Sequence, residues 1–260
     1  MSKSYTGLTT NGVTELTLQE EGVGNIGTQT IVWDSTQGTI DQVIGAIPDN
    51  WKQNGGTLKQ LQIGSSCTSI GSTAFQSCFS LTGSLIIPDS VTSIGDYAFF
   101  GCSSFTGSLT IPDSCTTIGN ISFQYCTGFN GSLTIGKSVT SIGSNAFYYC
   151  TGLTGSLTIP DSVTSIADYA FDSCSGFDGS LTIPNSVTTI GSYAFVVCSS
   201  LTAVYTNTPA SSFIGNSAFL ATSFTTIYTG PNATGYTSSF QGRTGLTIAN
   251  WDNYPNPIPN

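Results

Sequence analysis

The chain has 260 residues, 38% of them hydrophobic and only 7% charged, and 14 acidic against 5 basic side chains leave a net charge of −9. That balance, with no basic patch to reverse it, excludes an electrostatic grip on nucleic acid or anionic lipid. Histidine is absent, so the commonest general base is missing and neither a Ser-His-Asp nor a Cys-His arrangement is possible.

Residues 1–57 read as one unit. The first 30 residues lack the charged start, apolar run and small-residue cleavage site of a secretory signal, and no transmembrane stretch follows. Asn11-Gly12 is a hairpin turn signal, and the alternation from Val13 to Leu18 predicts a strand after it. Gly22-x-Gly24-x-x-Gly27 matches the dinucleotide fingerprint as a string. That motif needs a helix opening at its last glycine, whereas Thr28 to Trp33 reads as a strand, so the glycines are expected in a flexible connection between strands. Ile40, Val43, Ile44 and Ile47 follow helical spacing, with Thr39 as the start and Pro48 as the stop. The unit is expected to seal the first coil as a cap, or else to act as a docking module.

From Leu58 to about Phe219 the chain keeps a 24-residue period. Cysteine recurs at Cys78, Cys102, Cys126, Cys150, Cys174 and Cys198, and phenylalanine stands three residues before each, with one more beat at Phe219. So strict a period marks stacked coils, none of which buries its apolar edge alone. The fold class is therefore a β-rich solenoid, with residues 58–220 as its body.

The frame is L-x-x-x-L-x-I-P-x-S-V-x-x-I-G-x-x-A-F-x-x-C, clearest from Leu81 to Cys102 and from Leu153 to Cys174. Ser156-Leu157-Thr158-Ile159 alternates polar and apolar as a short half-buried strand does. Pro160, which has no amide hydrogen, stops it. Val163 and Ile166 then face inward on the opposite wall. Gly95, Gly119, Gly143, Gly191 and Gly215 follow the isoleucine, where a positive φ would be allowed, although Ala167 at the same place shows that it is not required. Asp168-Tyr169-Ala170-Phe171 is expected to turn as one helical or 3-10 loop. The count is about seven coils, a rod about 30 Å long at strand spacing. The first and last coils are shortened.

At a coil separation of about 4.8 Å the periodic cysteines form a ladder of parallel side chains, a geometry that does not favour bridging. Cys67 and Cys115 share the column of Val91, Val139, Val163 and Val187 and stand in for valine. Free, packed thiols are expected throughout; thiolates buried among phenylalanines are too costly to bind soft metals. Asp89, Asp113 and Asp161, with Asp96 and Asp168, lie at coil spacing on exposed corners, and Lys137 and Asn185 interrupt the first column, so a calcium site is not expected. Three glycosylation strings, at Asn120, Asn130 and Asn232, are short enough to arise by chance. No catalytic, cofactor-binding or metal-binding residue is assigned.

Residues 221–260 are expected to form a carboxyl-terminal cap and a proline-rich extended tail, with Trp251 and Tyr254 as candidate docking residues or as a strap on the last coil. The candidate contact face is the polar ladder Ser108, Thr110, Ser132, Thr134, Ser156, Thr158, Ser180 and Thr182, a flat uncharged stripe. Its plainest reading is that threonine suits a strand surface; the functional reading is a face for adhesion. A regular threonine array also suits ice, but Ile86 breaks the pattern.

The run Ile-Pro-Asp-Ser-Val-Thr-Ser-Ile-Gly-Asp-Tyr-Ala-Phe from Ile87, closed by Cys102 and nearly repeated from Ile159 to Cys174, resembles the BspA-like class of leucine-rich repeats. The resemblance covers Leu58 to about Phe219 and extends through Tyr236. It implies a right-handed parallel solenoid of leucine-rich-repeat type and a role in attachment on microbial or viral surfaces. The expectation is a non-enzymatic recognition or attachment protein, on an extracellular surface or a virion, whose partners are protein or glycan surfaces or further copies of itself. The alternative is a structural subunit of a virion or filament that assembles through its non-repeat ends. No nucleic acid partner, membrane insertion or cofactor is expected.

Overall fold

Each coil of the repeat contributes two short strands, and these pair with the equivalent strands of the coils before and after. The computed structural model describes the backbone of residues 3–6, 15–18, 21–26, 29–34, 39–43 and 60–61, and both backbone and side chains of 63, 67–79, 81–213 and 215–250. One wall is a six-stranded parallel sheet of Ser69–Ile70, Ser93–Ile94, Thr117–Ile118, Ser141–Ile142, Ser165–Ile166 and Thr189–Ile190, in a register that keeps every isoleucine inside. The other wall holds Leu109–Thr110 with Leu133–Thr134, and then Leu157–Thr158, Ser180–Ile183, Ala203–Thr206, Thr226–Thr229 and Thr247–Asn250. The second of these sheets runs straight across residue 220, so the strands after it continue the stack. The result is a parallel solenoid of about eight turns with almost no helix.

Packing follows the period. Phe75, Phe99, Phe123, Phe147, Phe171, Phe195 and Phe219 are buried, and successive rings stack with centroids 5.1–5.6 Å apart and planes within 19°. Val91, Cys115, Val139, Val163 and Val187 fill one column, all wholly buried, as substitution of valine by a small thiol predicts. All eight cysteines are free.

The thiol ladder has a second task. The Sγ atoms of Cys102, Cys126, Cys150, Cys174 and Cys198 donate to the carbonyl oxygens of Phe75, Phe99, Phe123, Phe147 and Phe171 in the preceding coil, at 3.0–3.1 Å. Only a protonated thiol can do this. Burial pushes Cys150 up to about 12, and Cys126 and Cys174 are raised by burial first and by neighbouring thiols second. Two results follow. The native protein is expected to leave these five thiols unreacted with an aromatic disulfide reagent at mildly alkaline pH, while the denatured chain reacts fully. An unfolded thiol loses its proton near pH 8.5 and the folded one does not, so stability is complete below that pH and falls as pH rises toward 12. Rapid labelling of native Cys150 would contradict this.

Positive φ is not required at Gly95, Gly119 and Gly143, as Ala167 indicates, and none of them adopts it. Their requirement is space, since a Cβ on Gly95 would lie 2.5 Å from Ser72 N and one on Gly119 would lie 2.6 Å from Asp96 N. The left-handed residues come two and six positions later: Tyr97, Ile121, Asn145, Tyr169 and Tyr193, then Tyr125, Tyr149, Ser173 and Val197, at φ 54–62°. Asp168 to Phe171 is accordingly not a helix but a run of overlapping turns. In the equivalent segment, Ala98 N, Phe100 N and Cys102 N donate three residues back, while Tyr97 N, Phe99 N and Gly101 N donate to the next coil.

At the amino end, Thr39–Val43 is a strand rather than the start of a helix. It pairs antiparallel with Gln29–Asp34 and parallel with Gln60–Leu61, consistent with the β-branched Thr39, Ile40 and Val43; Ile44 to Pro48 lie outside the described residues. Gly22 and Gly24 are not in a flexible connection but inside strand Glu21–Ile26, which forms a hairpin with Gln29–Asp34. Lys3–Thr6 and Glu15–Leu18 pair antiparallel, Thr6 opposite Glu15, while Asn11-Gly12 falls outside the described residues.

Two buried hydroxyls among the described residues, Ser122 Oγ and Ser186 Oγ, have no hydrogen-bond partner. Ser122 replaces the alanine of its column, is wholly buried, and its Oγ has no hydrogen-bond partner. A buried unsatisfied hydroxyl costs about 1 kcal/mol or more, so Ser122→Ala is expected to raise stability by roughly 1 kcal/mol in urea denaturation; an unchanged or lowered midpoint would show that the hydroxyl is satisfied.

Candidate functional site

The eight residues of the expected polar ladder do face outward. Ser108, Thr110, Ser132, Thr134, Ser156 and Thr158 are exposed, while Ser180 and Thr182 are half-buried. They do not form one stripe, however. Ser132 N and Oγ both reach Ser108 Oγ, at 3.1 and 3.4 Å, and Ser180 repeats this on Ser156. The wall is thus bonded in blocks, with a single bridge, Ser132 to Thr154, between them.

The cause lies one turn earlier. Asn130 and Asp178 stand where other coils have threonine, and their Oδ1 atoms accept from Gly107 N and Gly155 N at 2.8 Å. Gly107 and Gly155 take φ near +80°, while Gly131 and Gly179 do not. From Gly107 to Gly179 the coils therefore alternate, although Gly83 before them is also at +81°, and Ser132 and Ser180 are each committed to the serine one coil before. Thr110, Thr134, Thr158 and Thr182 remain the outward hydroxyls of this wall; Tyr205 and Tyr228 follow in the same register with rings stacked at 4.7 Å, but Tyr205 is buried.

The opposite wall is the unbroken one. Ser69, Ser93, Thr117, Ser141, Ser165 and Thr189 run in register along six strands. Beside them Thr92, Thr116, Thr140, Thr164 and Thr188 each donate to the carbonyl of the threonine, Thr68 in the first case, one coil before, at 3.0–3.2 Å. A shallow groove of about 530 Å³ lies here, lined among others by Ser93, Asp96, Thr117, Asn120 and Ser141. The sequence shows this column, but it was the other wall's serines and threonines that stood out.

The carboxylates bind the stack together. Asp96 Oδ1 accepts from Asn120 N and Asp168 Oδ1 from Ser192 N, both at 2.7 Å. Asp113 accepts from Lys137 N at 3.0 Å and lies 3.7 Å from its Nζ. Among the described residues no group of three or more His, Cys, Asp or Glu is placed to hold a metal, and no helix is long and apolar enough to cross a membrane.

A third surface escaped the sequence reading. Six of the nine exposed large apolar side chains among the described residues, Tyr97, Tyr125, Tyr149, Tyr169, Val197 and Leu220, lie on the edge made by the overlapping turns. Tyr125 meets Tyr148 at 5.5 Å and Tyr149 at 5.7 Å, and Tyr169 stacks on Tyr193 at 5.1 Å. Asp172, only 8% exposed, sits in the same column as Tyr148. Its carboxyl is raised above the ordinary range by burial, against a hydrogen bond from Ser173. Trp251 and Tyr254 lie outside the described residues.

A family model described as a BspA type leucine rich repeat region, in six copies, matches residues 46–174 and 129–247. Among solved structures, a leucine-rich repeat protein of T. pallidum is 21% identical, with 87% of this chain and 88% of that one covered at a TM-score of 0.54. One from Bacteroides ovatus is 20% identical, with 87% and 76% covered at 0.46. A leucine rich cell surface protein from Faecalibacterium prausnitzii is 19% identical, with 91% and 96% covered at 0.34. At these identities the T. pallidum likeness is one of fold. No curated protein matches the chain.

Proposed function

The chain belongs to the BspA-type leucine-rich repeat proteins, and from that premise we propose that it is a non-enzymatic recognition or attachment protein, displayed on an extracellular surface or a virion, whose repeat walls contact protein or glycan. Repeats of this kind are typically binding scaffolds. The observation that carries the reading is the register of uncharged hydroxyls on both walls, at coil spacing over a rigid apolar spine. Ser93, Thr117, Ser141 and Ser165 run unbroken on one wall, and Thr110 with Thr134 and Thr158 with Thr182 pair in register on the other. Such a surface offers many weak polar contacts in a fixed geometry, which suits an extended partner.

The test is an array of extracellular proteins and glycans probed with the full chain, the Thr134→Arg/Thr158→Arg variant and the Ser141→Arg/Ser165→Arg variant. The reading predicts a ligand whose binding one of the two variants abolishes. Finding none, or finding one that both variants bind as well as the parent, would overturn it.

The second reading, a structural subunit joined end to end, is favoured by strand Thr247–Asn250, the outermost of its sheet, largely exposed and with no further strand beyond it among the described residues. Such an edge is a template for another chain. Analytical ultracentrifugation at high concentration decides this reading: a persistent monomer rules it out.

A further inference from the structure

We propose that the turn edge is a docking surface for the cationic side chains of a basic polypeptide segment, with the rings of Tyr125, Tyr148 and Tyr149 and the carboxylate of Asp172 as its contact groups. The proposal rests on the recognition reading and names a surface and a partner class for it. Three independent observations converge on it.

First, the exposed apolar surface of the described residues is concentrated on this edge rather than scattered, and clustered exposed aromatics mark interaction sites. Tyr125 stands nearly edge-on to Tyr148 and Tyr149, at 80° and 65°. Tyr125 and Tyr149 nonetheless keep 39% and 44% of their surface exposed, and an exposed aromatic face attracts ammonium and guanidinium groups.

Second, Asp172 is a buried carboxylate without a counter-ion. At 8% exposure it accepts one hydrogen bond, from Ser173 Oγ at 2.8 Å. The one ion pair among the described residues joins Lys137 to Asp113. Carboxylates this enclosed are ordinarily paired, so the fold holds a charge whose partner comes from elsewhere.

Third, the edge is acidic with no basic residue on it. The turn segments 96–101, 120–125, 144–149, 168–173 and 192–197 contain Asp96, Asp168 and Asp172 and no lysine or arginine. Within a chain of net charge −9 this gives the edge a field complementary to cations. A neutral glycan would use the same rings but would draw nothing from the unpaired charge.

Decalysine titrated into the full chain by calorimetry at low salt tests the proposal. Asp172→Asn and Tyr148→Ala are each expected to weaken binding about tenfold, while Asp161→Asn, on the exposed proline corner, changes it less than about twofold. Asp172→Asn removes an unpaired buried charge, so it is expected to melt no lower than the parent, which separates lost binding from lost fold. Failure of decalysine to bind, an equal loss in Asp161→Asn, or ring-dependent binding of a neutral hexose oligomer that Asp172→Asn leaves unchanged would each overturn the proposal. A ligand found on the array through either wall, with no decalysine bound at the edge, would leave the recognition reading standing and remove this one alone.

Discussion

Phe147→Ala is expected to lower the stability of the folded chain by about 3–5 kcal/mol. Phe147 is wholly buried in mid-stack, 5.4 Å from Phe123 at an interplanar angle of 1° and 5.2 Å from Phe171 at 8°. Removing the ring takes away two stacked contacts and leaves a void that neighbouring coils cannot fill, because each is held in place by its own ladder bonds: Phe123 N donates to Ala146 O and Phe147 N to Ala170 O, each at 2.8 Å. In a stack stabilised only between neighbours, a weak central coil also divides the rod into two shorter ones. The urea transition, followed by tyrosine fluorescence and circular dichroism, is expected to shift to lower denaturant and to broaden. A change below about 1 kcal/mol would mean that the phenylalanine column is not the spine.

Gly152→Ala is expected to cost about 3 kcal/mol. A Cβ there would run into Phe129 O and stand 2.9 Å from Thr127 O, and Gly128 and Gly176 face the same obstacle one coil away on either side. Ser104 and Ser200 occupy this position in two other coils, and those coils take a different path. There Ser103 N donates to Gly101 O and Ser199 N to Val197 O, at 2.7 and 2.8 Å, a tight bond that the glycine coils do not show. The glycine thus permits close approach between coils, and the serine coils show what the backbone does without it. Stability of Gly152→Ala measured in urea decides the matter: a value equal to the parent's would mean that the coil switches to the serine path at no cost.

The spine was legible because it is built from identity repeated at fixed distance. Phe99, Cys102, Val91 and Ile94 recur as the same residue or a near equivalent, and a column of like side chains has one packing solution, the neighbouring coil. The turns were less legible for a reason specific to their backbone. Tyr97, Ile121 and Val197 sit at positive φ, where bulky and β-branched residues are outliers, so no local propensity announces that path. Spacing shows two tyrosine columns, Tyr97 with Tyr169 and Tyr193 and Tyr125 with Tyr149, but not that the overlapping turns bring both columns to one exposed edge. The residues of the polar ladder do lie on the outer side of their wall, yet their division into pairs depends on Asn130 and Asp178, whose side chains cross to the coil before.

Hydrogen exchange of the full chain, resolved to individual amides, tests the stacked spine most directly. The amides of Phe99, Phe123, Phe147 and Phe171 each donate to the next coil at 2.7–2.8 Å; they are expected to exchange slowest, at one common rate set by global unfolding. Exchange of these four within minutes, or at rates unrelated to one another, would contradict a continuous stack.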